Sequence, residues 1–156
     1  MKGLRILLAF SLLAPLCGCL PLYVTKQPSI TFLVLDPESL PVEQAAIHFL
    51  QYDPMNHSTP IQELKVATDP GGRVTIPKDS EWQYLKFTSD STARNYDWSW
   101  CVEKAGFSAE IKNGLRKSGV ADREVIRLRP TKNAERCVRS NQHHGIFEVG
   151  VPARGK

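Results

Sequence analysis

Short segments in which apolar residues recur at every second position run along most of this chain, with turn-forming residues between them. In the first segment, Ile30, Phe32 and Val34 are separated by Thr31 and Leu33, so one face is fully apolar and the other partly so. This period of two is typical of β-strands. The pattern predicts strands at 29–36, 45–52, 62–68, 74–76, 82–87, 98–102 and 125–128. The segment 107–115 has an ambiguous period and fits either a short helix or an irregular strand.

Many short strands joined by turns that contain Gly and Pro indicate an all-β sandwich. The sharpest turn signal is Asp69-Pro70-Gly71-Gly72. Pro70 presets φ at the second position of a β-turn, and Gly71 accommodates the positive φ that a type II turn requires at the third. We therefore expect a type II turn that leads into the strand at 74–76.

The first 18 residues have the composition of a signal peptide. Lys2 and Arg5 precede the apolar segment 6–16. As a helix, that segment would extend about 16 Å, which is roughly half of the ~30 Å hydrocarbon core of a bilayer. We expect residues 1–18 to be removed on export.

The sequence Leu16-Cys17-Gly18-Cys19 resembles the lipobox of bacterial lipoproteins. The resemblance implies that Cys19 carries the lipid and that residues 19–28, which contain two prolines, form a tether. In Gram-negative lipoproteins an Asp after this Cys signals retention in the inner membrane; Leu20 stands there, which implies the outer membrane. Secretion without a lipid and an uncleaved N-terminal anchor are the alternatives.

The remaining cysteines indicate an oxidising compartment. If Cys19 is acylated, Cys101 and Cys137 are the other two cysteines of the exported chain. An even pair in an exported protein predicts a disulfide, which would stabilise the fold by about 4 kcal/mol in the chain-entropy model. Two free thiols that pack as small apolar residues are the alternative.

The order of these strands and turns resembles the transthyretin-like, carboxypeptidase-regulatory-like domains. The resemblance rests on segments 30–36 and 41–47, on 68–74 with the motif T-D-x-x-G, on 101–107 with the motif K-x-G-[YF], and on the closing strand 125–130. It covers 29–130 and implies a seven-stranded transthyretin-like β-sandwich that serves in folding, assembly or binding without catalysis. Leu40 and Gln44 depart from the family, whose members often have Gly there. Residues 131–156 lie outside the pattern and are predicted to be a basic C-terminal extension.

Charge is distributed unevenly along the chain. Residues 20–111 contain seven Lys and Arg against twelve Asp and Glu, whereas residues 112–156 contain eleven against four. Removal of Lys2 and Arg5 lowers the formal net charge from +4 to +2, so we expect no nucleic-acid partner. The basic third fits an acidic partner, an anionic envelope surface, a solvated face, or a segment that folds back on the acidic part of its own domain.

The sequence contains no arrangement typical of an enzyme. The motifs G-x-S-x-G, G-x-x-x-x-G-K-[ST] and H-E-x-x-H do not occur, so we expect no catalytic residue, no cofactor and no metal. His48 alternates with Ile47 and Phe49 and is predicted to lie at the surface. His143 and His144 are adjacent, and a solvated loop is the more common setting for such a pair than a metal site.

Tyr96, Trp98 and Trp100 recur at a period of two and would share one face of a strand. Such a face commonly packs in a sandwich core, whereas on an edge strand it would form a partner surface. Taken together, the sequence favours a non-enzymatic, membrane-tethered protein of the cell envelope that binds or scaffolds another envelope protein. The alternative is a periplasm-facing protein that binds a ligand or metal through His143, His144 and the basic tail; an unrecognised hydrolase ranks last.

Overall fold

The computed structural model describes residues 19–52, 60–86, 96–115, 121–133, 135–140 and 146–151. Every regular element in these ranges is a β-strand, which confirms the all-β prediction. The strands are β1 (Cys19–Gln27), β2 (Ile30–Leu35), β3 (Ala46–Tyr52), β4 (Pro60–Ala67), β5 (Arg73–Ile76), β6 (Asp79–Lys86), β7 (Asp97–Glu103), β8 (Glu110–Leu115), β9 (Arg123–Arg127), β10 (Arg136–Arg139) and β11 (Phe147–Gly150).

The chain divides into two compact units, which are 1–24 with 80–94 and 25–79 with 95–156. A two-stranded sheet of β1 and β6 lies mostly in the first, smaller unit. The second, larger unit contains a three-stranded sheet in the order β5-β2-β9, a four-stranded sheet in the order β4-β3-β7-β8, and the two-stranded sheet β10-β11. The three- and four-stranded sheets together have the seven strands that the family resemblance implies.

The three- and four-stranded sheets enclose an apolar core. In the first of them β2 is central, antiparallel to β5 and parallel to β9, and its alternate residues Ile30, Phe32 and Val34 are fully buried. The ring of Phe32 meets the ring of Trp100 on β7 edge-on, with centroids 5.6 Å apart. Burial of side chains of this size contributes about 1.5–3 kcal/mol each. The Lys112 ammonium on β8 pairs with Glu124 on β9 at 2.7 Å and joins the two sheets at one margin.

Strand β7 is buried on both of its faces. Six of its seven residues are buried. Trp98, Trp100 and Val102 belong to the face that contains the core, opposite Phe49 and its neighbours on β3. On the other face, Cys101 forms a buried cluster with Leu50 of β3 and Phe147 of β11. Strands β10 and β11, which belong to the predicted C-terminal extension, therefore pack on the second face of the four-stranded sheet.

The structure differs from the sequence prediction in two places. The sequence predicts a tether at 19–28, but strand β1 occupies Cys19–Gln27 and pairs with β6. Pro21 is compatible with this strand, because a two-stranded sheet leaves each strand a free edge where a missing N–H removes no ladder hydrogen bond. The predicted strand at 82–87 is therefore part of this separate sheet. The seventh strand of the sandwich is instead β8, which forms in the ambiguous segment 107–115 and has a register shift against β7.

Two Asp-Pro turns, 36–40 and 69–73, have the same hydrogen bonds. In both, the Asp N–H donates to the carbonyl of the fifth residue at 2.9 Å, and the fifth N–H donates to the Asp carboxylate at 2.8 Å. The fourth residue is left-handed in each, with φ of 66° at Ser39 and 68° at Gly72. The positive φ thus lies at Gly72 and not at Gly71 as predicted. This is the pattern of a type I turn followed by a left-handed residue, and not that of a type II turn.

Gln44 also has a left-handed backbone, with φ of 56°. It occupies one of the two places where the resembled family often has Gly. Its conformation is fixed by Thr68: the Gln44 N–H donates to the Thr68 carbonyl at 3.0 Å. The Thr68 hydroxyl accepts from the Ala45 N–H at 2.9 Å and donates to the Val42 carbonyl at 2.6 Å. Thr68 is buried, so the loop cannot relax away from the strained position without losing these bonds.

We predict that Gln44→Gly raises the free energy of unfolding by about 0.5–1 kcal/mol. A left-handed conformation costs a residue with a Cβ about 1–2 kcal/mol, and the greater entropy loss of Gly offsets roughly half of this gain. Urea denaturation of the disulfide-bonded protein measures the change. Glu43→Gly in the same exposed turn, where φ is not positive, should instead lower stability. Equal effects of the two substitutions would contradict the assignment of strain to Gln44.

Candidate functional site

Cys101 and Cys137 form the predicted disulfide, with Cα atoms 5.8 Å apart, a separation typical of such bonds. The bond joins β7 to β10 and so attaches the C-terminal hairpin β10-β11 to the four-stranded sheet. Asn113 on β8 holds the other strand of the hairpin. Its side-chain amide donates to the Phe147 carbonyl at 3.1 Å and accepts from the Phe147 N–H at 3.0 Å. The hairpin is therefore fastened to the sheet by a covalent bond and by side-chain hydrogen bonds.

His48 and Glu103 lie beside the disulfide. His48 Nε2 is 3.1 Å from Glu103 Oε1, and the two side chains are 12% and 20% exposed. The second carboxylate oxygen of Glu103 accepts the Cys137 N–H at 2.6 Å. The ring of Phe147 stands edge-on to the His48 ring, with centroids 6.1 Å apart. The prediction that His48 lies at the surface is thus wrong, because the C-terminal hairpin covers the strand face to which it belongs.

Tyr96, Trp98 and Trp100 lie in the interior. Their exposed fractions are 5%, 1% and 5%. Trp98 donates its indole N–H to the Lys26 carbonyl at 2.8 Å, and Trp100 packs on Phe32. Of the two alternatives for these rings, the structure therefore supports packing in the core. The rings offer no surface to a partner, because both faces of β7 are covered.

Two polar groups in this interior have no hydrogen-bond partner in the part of the chain that the structure describes. They are the side-chain amide of Gln51, whose oxygen and nitrogen are both buried, and the indole N–H of Trp100. Gln51 is opposite Trp98 in the β3-β7 pairing and is fully buried. A buried polar group without a partner lowers stability by about 1–3 kcal/mol.

We predict that Gln51→Met raises the free energy of unfolding by about 1–3 kcal/mol, since methionine fills a similar volume and removes the unpaired amide. Urea denaturation measures the change. Gln62 is the matched control: it is the partner of Gln51 across β3 and β4 and is exposed. Gln62→Met should change stability by less than about 0.5 kcal/mol. A loss of stability in Gln51→Met would show that the amide has a role in the native core.

An exposed aromatic face lies on the sheet of β1 and β6. We use this name for Tyr23 on β1 with Trp82 and Tyr84 on β6, whose exposed fractions are 62%, 63% and 71%. The rings of Tyr23 and Trp82 are in contact, with centroids 5.1 Å apart. Pro21, two residues before Tyr23 on the same strand, is also exposed. The face therefore combines three large rings and a proline, none of which carries a charge.

The sequence pattern predicted two of the three rings of this face. The alternation at 82–87 places Trp82 and Tyr84 on one side of a strand, as the structure does. Tyr23 was missed because the prolines at 21 and 28 suggested a tether. The signal that would have revealed it is the alternation of Leu22 and Val24, which are half-buried, with exposed Pro21 and Tyr23.

The basic C-terminal third contacts acidic residues of the same chain. Arg139 on β10 lies 3.6 Å from the Glu63 carboxylate on β4, and Lys112 pairs with Glu124. Both members of the first pair are about half exposed, so it contributes at most about 1 kcal/mol. The Lys112–Glu124 pair lies within the basic third, so the Arg139–Glu63 contact is the one that favours, among the alternatives for this segment, folding back on the acidic part of its own domain.

The remaining predicted sites lie at or beyond the limits of the described residues. Cys19 begins β1. The predicted signal peptide, 1–18, and the His143-His144 pair lie outside the described residues. In the described part of the chain, no helix is long and apolar enough to span a bilayer.

Comparison with known proteins gives little further information. No protein-family model matches the chain, and no curated protein matches it. Among solved structures, the chain is similar to 3-chlorocatechol 1,2-dioxygenase from Rhodococcus opacus 1CP, with 13% identity and a TM-score of 0.42. The match covers 66% of this chain and 59% of the dioxygenase chain. A likeness this distant carries no argument about function.

Proposed function

We propose that this chain is a lipid-anchored protein of the bacterial cell envelope that binds another envelope protein without catalysis. The observation that carries the proposal is the exposed aromatic face of Tyr23, Trp82 and Tyr84. Tyrosine and tryptophan are enriched at protein interfaces and dominate their binding energy, because each buries a large rigid area at a low cost in side-chain entropy. Three such rings, all exposed and two of them in tilted contact, form a recognition surface of this kind.

The predicted lipid anchor supports the same reading. Cys19 and Tyr23 belong to one strand and are four residues apart, which corresponds to about 13 Å at the rise of an extended chain. A partner on the aromatic face would then lie close to the membrane surface. An integral or lipid-anchored envelope protein fits this position better than a freely diffusing one.

The disulfide agrees with an exported protein. Cys101 and Cys137 are bonded, and stable structural disulfides are typical of oxidising compartments. In a Gram-negative cell, Leu20 after the predicted lipid-bearing Cys19 would direct the protein to the outer membrane. The proposed function needs no cofactor and no catalytic residue, in keeping with a sequence that contains none of the enzyme motifs considered above.

Photo-crosslinking in whole cells tests this proposal. A benzophenone amino acid replaces Tyr84, and the matched control carries it at Val125 on β9, which is 51% exposed and belongs to the other unit. We predict a discrete covalent adduct with one envelope protein from position 84 and none from position 125. Mass spectrometry of the N-terminal peptide from the same preparation should show an acylated Cys19.

Three results would contradict the proposal. Adducts to lipid alone from position 84 would make the aromatic face a membrane contact. Equal protein adducts from both positions would show random collision. An unmodified, soluble mature chain would remove the lipid anchor.

A further inference from the structure

The side chains around the disulfide have the composition of a metal site. His48 Nε2, a carboxylate oxygen of Glu103 and Cys137 Sγ all lie within 4.8 Å of one another. Cys101 is directly opposite His48 in the β3-β7 pairing, so the two side chains share one face of the sheet. Imidazole, carboxylate and two sulfurs therefore converge at one point, contributed by β3, β7 and β10.

In the disulfide form this group lacks the ligands that a metal needs, because thiolates bind metals and disulfide sulfurs do not. Reduction supplies two thiols, on strands β7 and β10. We propose that the reduced protein binds one Zn²⁺ ion through Cys101, Cys137, His48 and Glu103, and that the disulfide and the zinc are alternative states of one site. This inference is independent of the proposed partner on the aromatic face.

The separations fit tetrahedral zinc. Bonds of about 2.0–2.3 Å to nitrogen, oxygen and sulfur place neighbouring ligand atoms about 3.3–3.8 Å apart. His48 Nε2 and Glu103 Oε1 are already 3.1 Å apart, so an ion can enter between them with little movement. The two sulfurs separate when their bond breaks. Two thiolates, one imidazole and one carboxylate are a donor set that suits Zn²⁺.

The surroundings also resemble those of a metal site. The Cys137 N–H bonds to the second carboxylate oxygen of Glu103 and would orient this ligand from outside, as groups around metal ligands commonly do. His48 and Glu103 are mostly buried, and Phe147 and Leu50 form an apolar wall beside them. Ligands of this kind are already held in place before an ion arrives.

The conversion balances with a dithiol as the reductant. The dithiol gives two electrons and two protons to the Cys101–Cys137 bond and becomes a disulfide itself. Zn²⁺ then displaces the two thiol protons, which pass to solvent. The net change is exchange of one disulfide for another, with uptake of one Zn²⁺ and release of two protons.

The consequence for the fold is that the C-terminal hairpin keeps an attachment in both states. The disulfide links β7 to β10, and a zinc ion with these ligands would link β3, β7 and β10. A reductant would therefore convert one attachment into another and would not release the hairpin.

Metal titration of the mature protein in detergent tests the proposal. One sample is oxidised and the other is reduced with a phosphine that does not bind zinc. We expect one equivalent of Zn²⁺ to bind the reduced protein in competition with a chromophoric chelator and none to bind the oxidised protein. With Co²⁺ as the probe, thiolate-to-cobalt charge-transfer absorption should appear in the reduced sample. Near-UV circular dichroism follows the fold, and if reduction weakens this signal, Zn²⁺ should restore it.

Variants identify the ligands. His48→Gln and Glu103→Gln should each weaken zinc binding to the reduced protein at least tenfold, while the double variant His143→Ala/His144→Ala should leave it unchanged. Equal binding by oxidised and reduced protein, or loss of binding in the double variant, would overturn the proposal. Two further results would also overturn it. The first is a reduced protein that binds no Zn²⁺, and the second is a reduced protein that has lost its near-UV signal and does not regain it when Zn²⁺ is added.

Discussion

Burial of β7 on both of its faces is the constraint on which the larger unit depends. On one side, the tryptophans of β7 pack against the sheet that contains β2. On the other side, Cys101 packs against Leu50 and Phe147. The contact of the tryptophans joins the two sheets of the sandwich. The apolar residues on the opposite face of β7 are shielded from solvent by the β10-β11 hairpin, which lies outside the sandwich. The disulfide fixes the position of this cover at the centre of the face that it protects.

This arrangement explains why the ends of the chain were the hardest part to predict. A period of two along the sequence reports only the local contrast between two faces of a strand. It therefore located β2 to β7 and β9, each of which has an apolar residue at alternate positions. It cannot report that a remote segment covers the second face. His48 reads as a surface residue for this reason, although Phe147, about a hundred positions later, packs on its ring.

Other elements were difficult to predict because individual residues in them are unusual for the structure that they adopt. Pro21 and Pro28 suggested a tether, yet Pro21 is tolerated at an edge of β1 and Pro28 follows the end of that strand. Asn113 and Gly114 broke the apolar pattern of β8, and Asn113 proves to bind the hairpin. Gln44 was recognised as a departure from Gly, but its left-handed backbone follows from bonds to Thr68 that the sequence does not show.

The candidate sites differ in how far they could be foreseen. The number of cysteines was enough to predict the disulfide. The position of Cys137 near His48 and Glu103 could not be predicted, because it depends on how the hairpin packs on the sheet. The aromatic face depends on pairing between β1 and β6, which are more than fifty residues apart. In the proposed function, this pairing also holds the aromatic face near the lipid. Because β1 begins at Cys19, the face would lie much closer to the membrane than it would at the end of a flexible tether.

Amide hydrogen exchange on the disulfide-bonded protein tests the central claim most directly, because protection reports how completely a strand is shielded in the native state. If β7 is covered on both faces, its amides should exchange most slowly of all those in the sandwich, with β3 next and the edge strands β4 and β9 fastest. Exchange in β7 as fast as in β4 or β9 would contradict the account, since it would mean that the hairpin does not protect the outer face of the sheet.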